Sequence, residues 1–302
     1  MQNRRVWICG ANGMLGSHFQ RLLGEKQIPF LANGHRQIDI TDRDAVAAFV
    51  RVQKITHIIN CAAYTQVDKA ESEPEFAYKA NAMGPAHLGL AARKYGARVI
   101  HFSTDYVFNG FGKQPYKEEQ ICSPLGAYGM SKLAGEVKLL DVLPEACIIR
   151  TSWLFGHPGK NFVDTMLKLM SQRDSLRIVV DQIGRPTYCQ DLADAALEML
   201  DLPGLFHFAN QGETSWFDFA SEIQRQALDR GVLIKPCALE PIPTSGYPTP
   251  AKRPAYSSLN TNKIEQQLGR CPRSWQAALS DYLLLYQQSP TLQISHANTL
   301  SS

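Results

Sequence analysis

Short apolar runs alternate with segments of helical period through the first half of the chain. Val6 to Cys9 is apolar at every position and ends in Gly10-Ala11-Asn12-Gly13-Met14-Leu15-Gly16, after which Phe19, Leu22 and Leu23 recur at helical spacing. The segment reads as strand, glycine turn, helix. Pro29 to Ala32 is a second strand, and Thr41, with Asp44 three positions on, opens a helix through Val50 as a capping box would. His57 to Cys61 is a third strand, Pro85 to Tyr95 a helix stopped by Gly96, and Arg98 to Ser103 a strand. Ser123-Pro124 starts a helix to about Leu140, and Ala146 to Ser152 is a strand. Strands that alternate with helices imply right-handed crossovers and a parallel sheet, and their unbroken apolar character implies that both faces are covered.

Beyond Ser152 this rhythm weakens. Helices are legible over Asn161 to Gln172, Asp191 to Leu200, Trp216 to Arg230 and Pro272 to Tyr286, while Leu205 to Ala209 reads as a strand returning to the sheet. The expected fold is therefore α/β: a doubly wound parallel sheet of the Rossmann type with a second, smaller substrate-binding domain. At 302 residues the chain has room for about two domains. They are expected to interleave, with 1-152 and 185-210 binding a dinucleotide and 153-184 and 211-286 binding the substrate. Residues 287-302 are polar and aperiodic, as in a disordered tail.

Composition narrows the partners. With 31 Lys and Arg against 28 Asp and Glu the net charge is +3, too small an excess to provide the concentrated basic face that nucleic acid requires. No apolar run approaches the roughly 20 residues of a membrane helix, and Met1 to Arg5 is polar and leads straight into the first strand, without the apolar core of a signal peptide. The seven cysteines include no Cys-x-x-Cys; buried free thiols are the favoured reading over metal ligands. A cytoplasmic protein, bound to neither nucleic acid nor membrane, is expected.

In a doubly wound sheet the ligand sits at the carboxyl ends of the strands. There Gly10, Gly13 and Gly16 let the chain turn tightly, bring backbone N–H groups to a pyrophosphate and pack the helix on the strand, while the helix amino end favours an anion. Cofactor choice turns on the end of the second strand, Ala32-Asn33-Gly34-His35-Arg36. It carries no acid for the ribose diol of NAD, and Arg36 can pair with the phosphate of NADP. Asp39, in Ile38-Asp39-Ile40-Thr41, competes for that role, and a solvated surface cation is the plain alternative for Arg36. NADPH is expected, with NADH as the alternative.

Tyr128-Gly129-Met130-Ser131-Lys132 puts a phenol and an ammonium four residues apart on one helix face. A phenol with a pKa near 10 is a sluggish proton donor or acceptor, and a nearby cation favours the phenolate and lowers that pKa. Such pairs are common on exposed helices. The position of this one, downstream of the glycine turn and of a strand ending in Ser103-Thr104-Asp105-Tyr106, marks it as candidate chemistry.

With these motifs the chain resembles the extended short-chain dehydrogenase/reductase family. The resemblance runs to about Tyr286 and includes Asn60-Cys61-Ala62-Ala63, Asn81, Val67-Asp68-Lys69-Ala70-Glu71, Arg150-Thr151-Ser152-Trp153, Asp181-Gln182-Ile183-Gly184-Arg185-Pro186-Thr187 and the proline-rich Pro243 to Pro254. It implies NADPH-dependent reduction of the 4-keto group of a dTDP-linked 4-keto-6-deoxy sugar, dTDP-4-dehydro-6-deoxy-L-mannose, to dTDP-L-rhamnose. Tyr128 would be the general acid, with Lys132 tuning it and holding the nicotinamide ribose and Thr104 polarising the carbonyl. Cofactor contacts are implied for Gly10, Asn12, Gly13, Met14, Leu15, Gly16, Arg36, Asp39, Ile40, Cys61, Ala62, Ala63, Tyr128 and Lys132. Substrate contacts are implied for Thr65, Val67, Thr104, Asp105, Tyr106, Trp153, Asn161, Arg185, Tyr247 and Arg253. Related dehydratases carry Asp-Glu after the threonine where Asp105-Tyr106 stands here, so an elimination would lack its base. Some relatives dimerise through magnesium held by carboxylates; the matched positions hold His18 and Gln190, so a monomer or weak homodimer without a magnesium bridge is expected. Two alternatives stay open: a reductase of another nucleotide sugar, and a non-catalytic regulatory subunit resembling that of methionine adenosyltransferase.

Overall fold

The computed structural model describes residues 4–288. The chain runs β1 (Val6–Cys9), α1 (Met14–Glu25), β2 (Phe30–Asn33), α2 (Arg43–Val52), β3 (His57–Asn60), α3 (Val67–Ala70), α4 (Pro74–Tyr78), α5 (Gly84–Tyr95), β4 (Arg98–Thr104), α6 (Ala127–Val142) and β5 (Cys147–Thr151). It continues through β6 (Leu154–Phe155), α7 (Phe162–Gln172), β7 (Ser175–Val179), β8 (Ile183–Gly184), β9 (Thr187–Tyr188), α8 (Cys189–Glu198) and β10 (Gly204–His207). The last elements are β11 (Thr214–Ser215), α9 (Trp216–Asp229), β12 (Ala238–Ile242), α10 (Asn262–Leu268) and α11 (Trp275–Gln288). The expected tail thus begins inside α11, and its remainder lies outside the described residues.

The central sheet has six parallel strands in the order β10-β5-β4-β3-β1-β2, and β10 is the returning strand expected near residue 205. Alternation along the strands divides the core. Val6, Ile8, Ile59, Ile100 and Ile149 pack under α1 and α8, while Trp7, Cys9, Ile58, Val99 and Ile148 pack under α2, α5 and α6. Successive side chains of a strand point to opposite faces, so strands that are apolar at every position require helices on both sides. A separate cluster, built around Phe155, Phe219, Tyr188 and Tyr282, joins α7, α9 and α11 beyond the carboxyl end of β5.

Four helix starts differ from the sequence reading. Asp42, not Thr41, caps α2, accepting from the N–H groups of Asp44 and Ala45. Helix α6 begins at Ala127, not at Ser123-Pro124, because its cap comes from a distant residue described below. Helix α8 starts at Cys189, directly after β9, and α11 at Trp275.

Candidate functional site

The order of strands reverses between β1 and β3, since the chain moves out to β2 and then returns to the other side of β1. A crevice opens at such a switch point. At its base Gly10 has φ +71°, and a Cβ there would stand 2.6 Å from the Ala62 backbone, so only glycine lets the turns after β1 and β3 meet. A Cβ on Gly16 would stand 2.8 Å from Ala11 Cα, which keeps α1 tight on the turn. Gly13 precedes α1 with no side chain to cap it, and the first turn carries no acid; its N–H groups suit an anion.

An open groove of about 1060 Å³ follows, lined by Gly10, Asn12, Gly13, Arg36, Asp39, Ile40, Cys61, Ala62 and Ala63 among the expected residues. Gly34, Thr41, Tyr64, Glu73, Phe76 and Lys79 also line it, and the last four were not singled out from the sequence. Met14 and Leu15 are not on this lining: Leu15 is buried in the core and Met14 lies against Gly159. Asp39 accepts from Thr41 N–H at 2.9 Å and faces His35, whereas Arg36 is exposed and has no ion-pair partner among the described residues. The uncapped helix end, the glycine cradle and the free guanidinium fit a dinucleotide carrying an extra phosphate.

The Tyr128 helix starts beside this groove. Gly126 cannot cap α6, and Glu71 Oε1 accepts from Ala127 N–H at 2.9 Å across 56 residues of sequence. A side chain at position 126 would collide with that carboxylate. Thr104 ends β4 and Asp105 begins a single turn of 3-10 helix. Thr104 Oγ1 lies 3.0 Å from Asp105 Oδ1, accepts from Tyr106 N–H at 3.2 Å and is hydrogen-bonded to the Tyr128 phenol. The ring of Tyr106 meets that of Tyr128 edge to face at 5.8 Å.

The Tyr128 pKa is raised, where the spacing alone suggested a lowered one. Burial pushes the phenol up to about 12, with Asp105 adding to the shift and the Thr104 hydrogen bond opposing it. Lys132 Nζ donates instead to Phe102 O at 2.6 Å, and burial lowers its pKa to about 8 against the opposing pull of Glu136. The pair therefore presents a protonated phenol, which suits proton donation rather than abstraction.

The proline-rich loop reaches this point from the other side. A small cavity is lined by Val67, Glu71, Tyr106 and Tyr128 together with Ala251, Lys252 and Pro254. The loop is docked there by Asp68, which pairs with Arg253 Nη2 at 2.9 Å and accepts from Ala251 N–H at 3.2 Å. Arg253 holds the Asp68 carboxyl below the usual range. Asp68 and Glu71 were quoted in the sequence only as part of a motif; the acids facing a Lys-Arg pair were the available signal.

Other expected substrate residues have different surroundings. Asn161 caps α7, and its amide donates to Gly156 O and Asp164, so its polar atoms serve the fold. Trp153 is half-buried, stacks on Trp216 with ring centroids 3.5 Å apart and rests against Gly184. Asp105 is 2 % exposed, with its carboxyl turned to Thr104. Tyr247 and Thr65 are exposed, and Arg185 is half-buried with its Nε lacking a hydrogen-bond partner. His18 Nδ1 lies 3.3 Å from Gln190 Oε1. Among the described residues no group of His, Cys, Asp and Glu could hold a metal ion, no helix is long and apolar enough to cross a membrane, and all seven cysteines are free.

Comparison with known proteins places this arrangement. A dTDP-4-dehydrorhamnose reductase of Aggregatibacter actinomycetemcomitans is 42% identical over 286 residues, covering 92% of this chain and 97% of that protein. The crystal structure of a dTDP-4-dehydrorhamnose reductase from Clostridium acetobutylicum superposes with a TM-score of 0.89 at 41% identity, over 94% of this chain and 99% of that one. A dTDP-4-dehydrorhamnose reductase from Bacillus anthracis, solved in complex with NADP, gives 0.88 at 36% identity, over 93% and 99%. The family model for the RmlD substrate binding domain matches residues 4–288, and the chain belongs to that family.

Proposed function

We propose that this protein reduces the 4-keto group of dTDP-4-dehydro-6-deoxy-L-mannose to give dTDP-L-rhamnose, with Tyr128 as general acid. It is an NADPH-dependent oxidoreductase acting on a nucleotide-sugar ketone. The observation that carries the assignment of Tyr128 is its pairing with Thr104 at the end of β4, within a cavity closed by the Arg253 loop. The glycine turn, Arg36 and the Cys61 to Ala63 segment would hold NADPH, which when bound would supply hydride to the keto carbon. Negative charge then develops on the carbonyl oxygen, where preorganised donors lower the barrier. Tyr128, kept protonated by burial, gives its proton to that oxygen. Lys132 is fixed by the Phe102 carbonyl, leaving two further N–H bonds for a ribose hydroxyl. Arg253, oriented by Asp68, suits a diphosphate by its bidentate fork. In this division of labour 1-152 and 185-210 carry the cofactor and the proton, and 153-184 and 211-286 carry the sugar nucleotide. The test is to supply purified protein with NADPH and the dTDP-linked 4-keto sugar, following cofactor oxidation and product identity. NADPH binding without turnover would remove the catalytic reading and favour a regulatory one.

A further inference from the structure

Thr104 Oγ1 has more partners than protons. A hydroxyl carries one hydrogen and two lone pairs, and one lone pair is taken by Tyr106 N–H at 3.2 Å. Asp105 Oδ1 at 3.0 Å and the Tyr128 phenol share what remains. Two arrangements satisfy all three groups. When Asp105 is a carboxylate, Thr104 donates to it and Tyr128 donates to Thr104, so the phenolic proton points away from the cavity. When Asp105 is a carboxylic acid, it donates to Thr104, Thr104 donates to Tyr128 Oη, and the phenolic O–H is released.

The surroundings of Asp105 permit the second arrangement. Asp105 has no ion-pair partner among the described residues, and its Oδ2 is buried without a hydrogen-bond partner; the Ser257 and Thr104 hydroxyls and the backbone N–H groups of Asp105 and Tyr106 favour its carboxylate but do not outweigh burial. The groups facing it are Thr104 and Tyr106 on its own segment, Tyr128 on α6 and Ser257, three residues beyond the proline-rich loop; Arg253 and Asp68 act on the outer neighbour Tyr106. Burial without a counter-cation raises the carboxyl to about 7.

We infer that Asp105 is a positioning residue and proton reservoir, which aims the Tyr128 proton into the cavity and replaces it through Thr104. Tyr128 O–H breaks as the product O–H forms, the Thr104 proton moves to Tyr128 Oη, and the Asp105 proton moves to Thr104. Asp105 is left as a carboxylate, which regains a proton from solvent before the next turnover. Substrate contact is not its role. The inference rests on Tyr128 acting as the general acid proposed above.

Two readouts of Asp105→Asn test it, the first needing no substrate. Infrared difference spectra between about pH 6 and about pH 8 should show a protonated carboxyl group titrating near neutrality in the wild-type protein and absent from the variant. Absence of that signal from the wild type, or its persistence in the variant, overturns the inference whatever the protein reduces. In turnover with NADPH and the dTDP-linked 4-keto sugar, the wild-type kcat should fall about tenfold per pH unit above the titration. Asp105→Asn should be about tenfold or more slower at pH 6, with that pH step removed and KM for the sugar nucleotide little changed. Thr104→Val should also lose the step while keeping the carboxyl signal. A wild-type pH profile in Asp105→Asn, or a change confined to KM, overturns the relay; a titrating carboxyl in a protein without turnover would instead count against the activity proposed above.

Discussion

Arg150 on β5 and Glu136 on α6 form a buried ion pair one helical turn beyond Lys132, each 3 % exposed. The contact is a fork: Arg150 Nε to Glu136 Oε1 at 2.9 Å and Nη2 to Oε2 at 2.7 Å. The guanidinium also reaches Cys122 Sγ at 3.2 Å and the Glu118 carbonyl at 3.4 Å, and lies 5.2 Å from the centroid of the Phe108 ring. Glu136→Gln preserves shape but leaves a buried cation without its counter-charge, a change that costs about 3 to 5 kcal/mol. At about 2 °C per kcal/mol, the lower end for large domains, Tm should fall by about 6 to 10 °C. Arg150→Met should cost as much by stranding the carboxylate. The double variant Arg150→Met/Glu136→Leu removes both charges and should be more stable than either single one, with a coupling energy of about 3 kcal/mol. Lys132 provides a second readout, because Glu136 favours its charged form; Glu136→Gln should lower the lysine pKa and move any alkaline limb of kcat to lower pH. Urea unfolding of the four proteins and the pH profile of the active ones check this. Single variants costing under about 1 kcal/mol, or strictly additive effects, would refute the reasoning.

Three further predictions follow from the geometry. Gly10→Ala forces a side chain into left-handed backbone, at about 1 to 2 kcal/mol, and against Ala62, so NADPH should bind about tenfold or more weakly while circular dichroism is unchanged; unaltered affinity in a fluorescence titration would contradict the cradle. Arg36→Ala should weaken NADPH by about 10- to 100-fold, the worth of a charge-assisted hydrogen bond, and leave NADH unaffected; equal loss for both would show that Arg36 does not read the extra phosphate. Burial lowers the pKa of His18 to about 4 and of His207 to about 3, and holds that of His101 well below its ordinary value. The unfolded chain takes up these protons near pH 6.5 while the folded one does not, so stability is full above that pH and declines below it. Each histidine contributes about 1.4 kcal/mol per pH unit until its folded pKa is reached. Urea midpoints at about pH 7 and about pH 5 measure the loss, which should be smaller in His18→Gln; equal midpoints would refute it.

The sheet was legible because its evidence is local. Unbroken apolar strands, a glycine turn and helical period fix β1, α1, β4 and the Tyr128 helix within a few residues. Features decided by partners far along the chain were not legible. The start of α6 depends on Glu71, 56 residues before Ala127, so Pro124 looked like the natural first turn. Arg253 was visible as a cation on a stiff loop, but its orientation by Asp68 spans 185 residues. Asn161 carried polar atoms that a ligand could use, and the fold uses them to cap α7. The Tyr128 and Lys132 spacing was correct as geometry and misleading as electrostatics, because burial of the phenol outweighs an ammonium that bonds to the Phe102 carbonyl.

The central claim is that a protonated Tyr128 completes reduction of a dTDP-sugar ketone. Its most direct test is the single-turnover rate of NADPH oxidation by the dTDP-linked 4-keto sugar, compared between the wild-type protein and Tyr128→Phe at matched cofactor saturation. The account predicts formation of the 4-hydroxy sugar nucleotide by the wild type and a rate lower by about 10²- to 10⁴-fold in the variant, with NADPH binding retained. A Tyr128→Phe protein that turns over at the wild-type rate would contradict it.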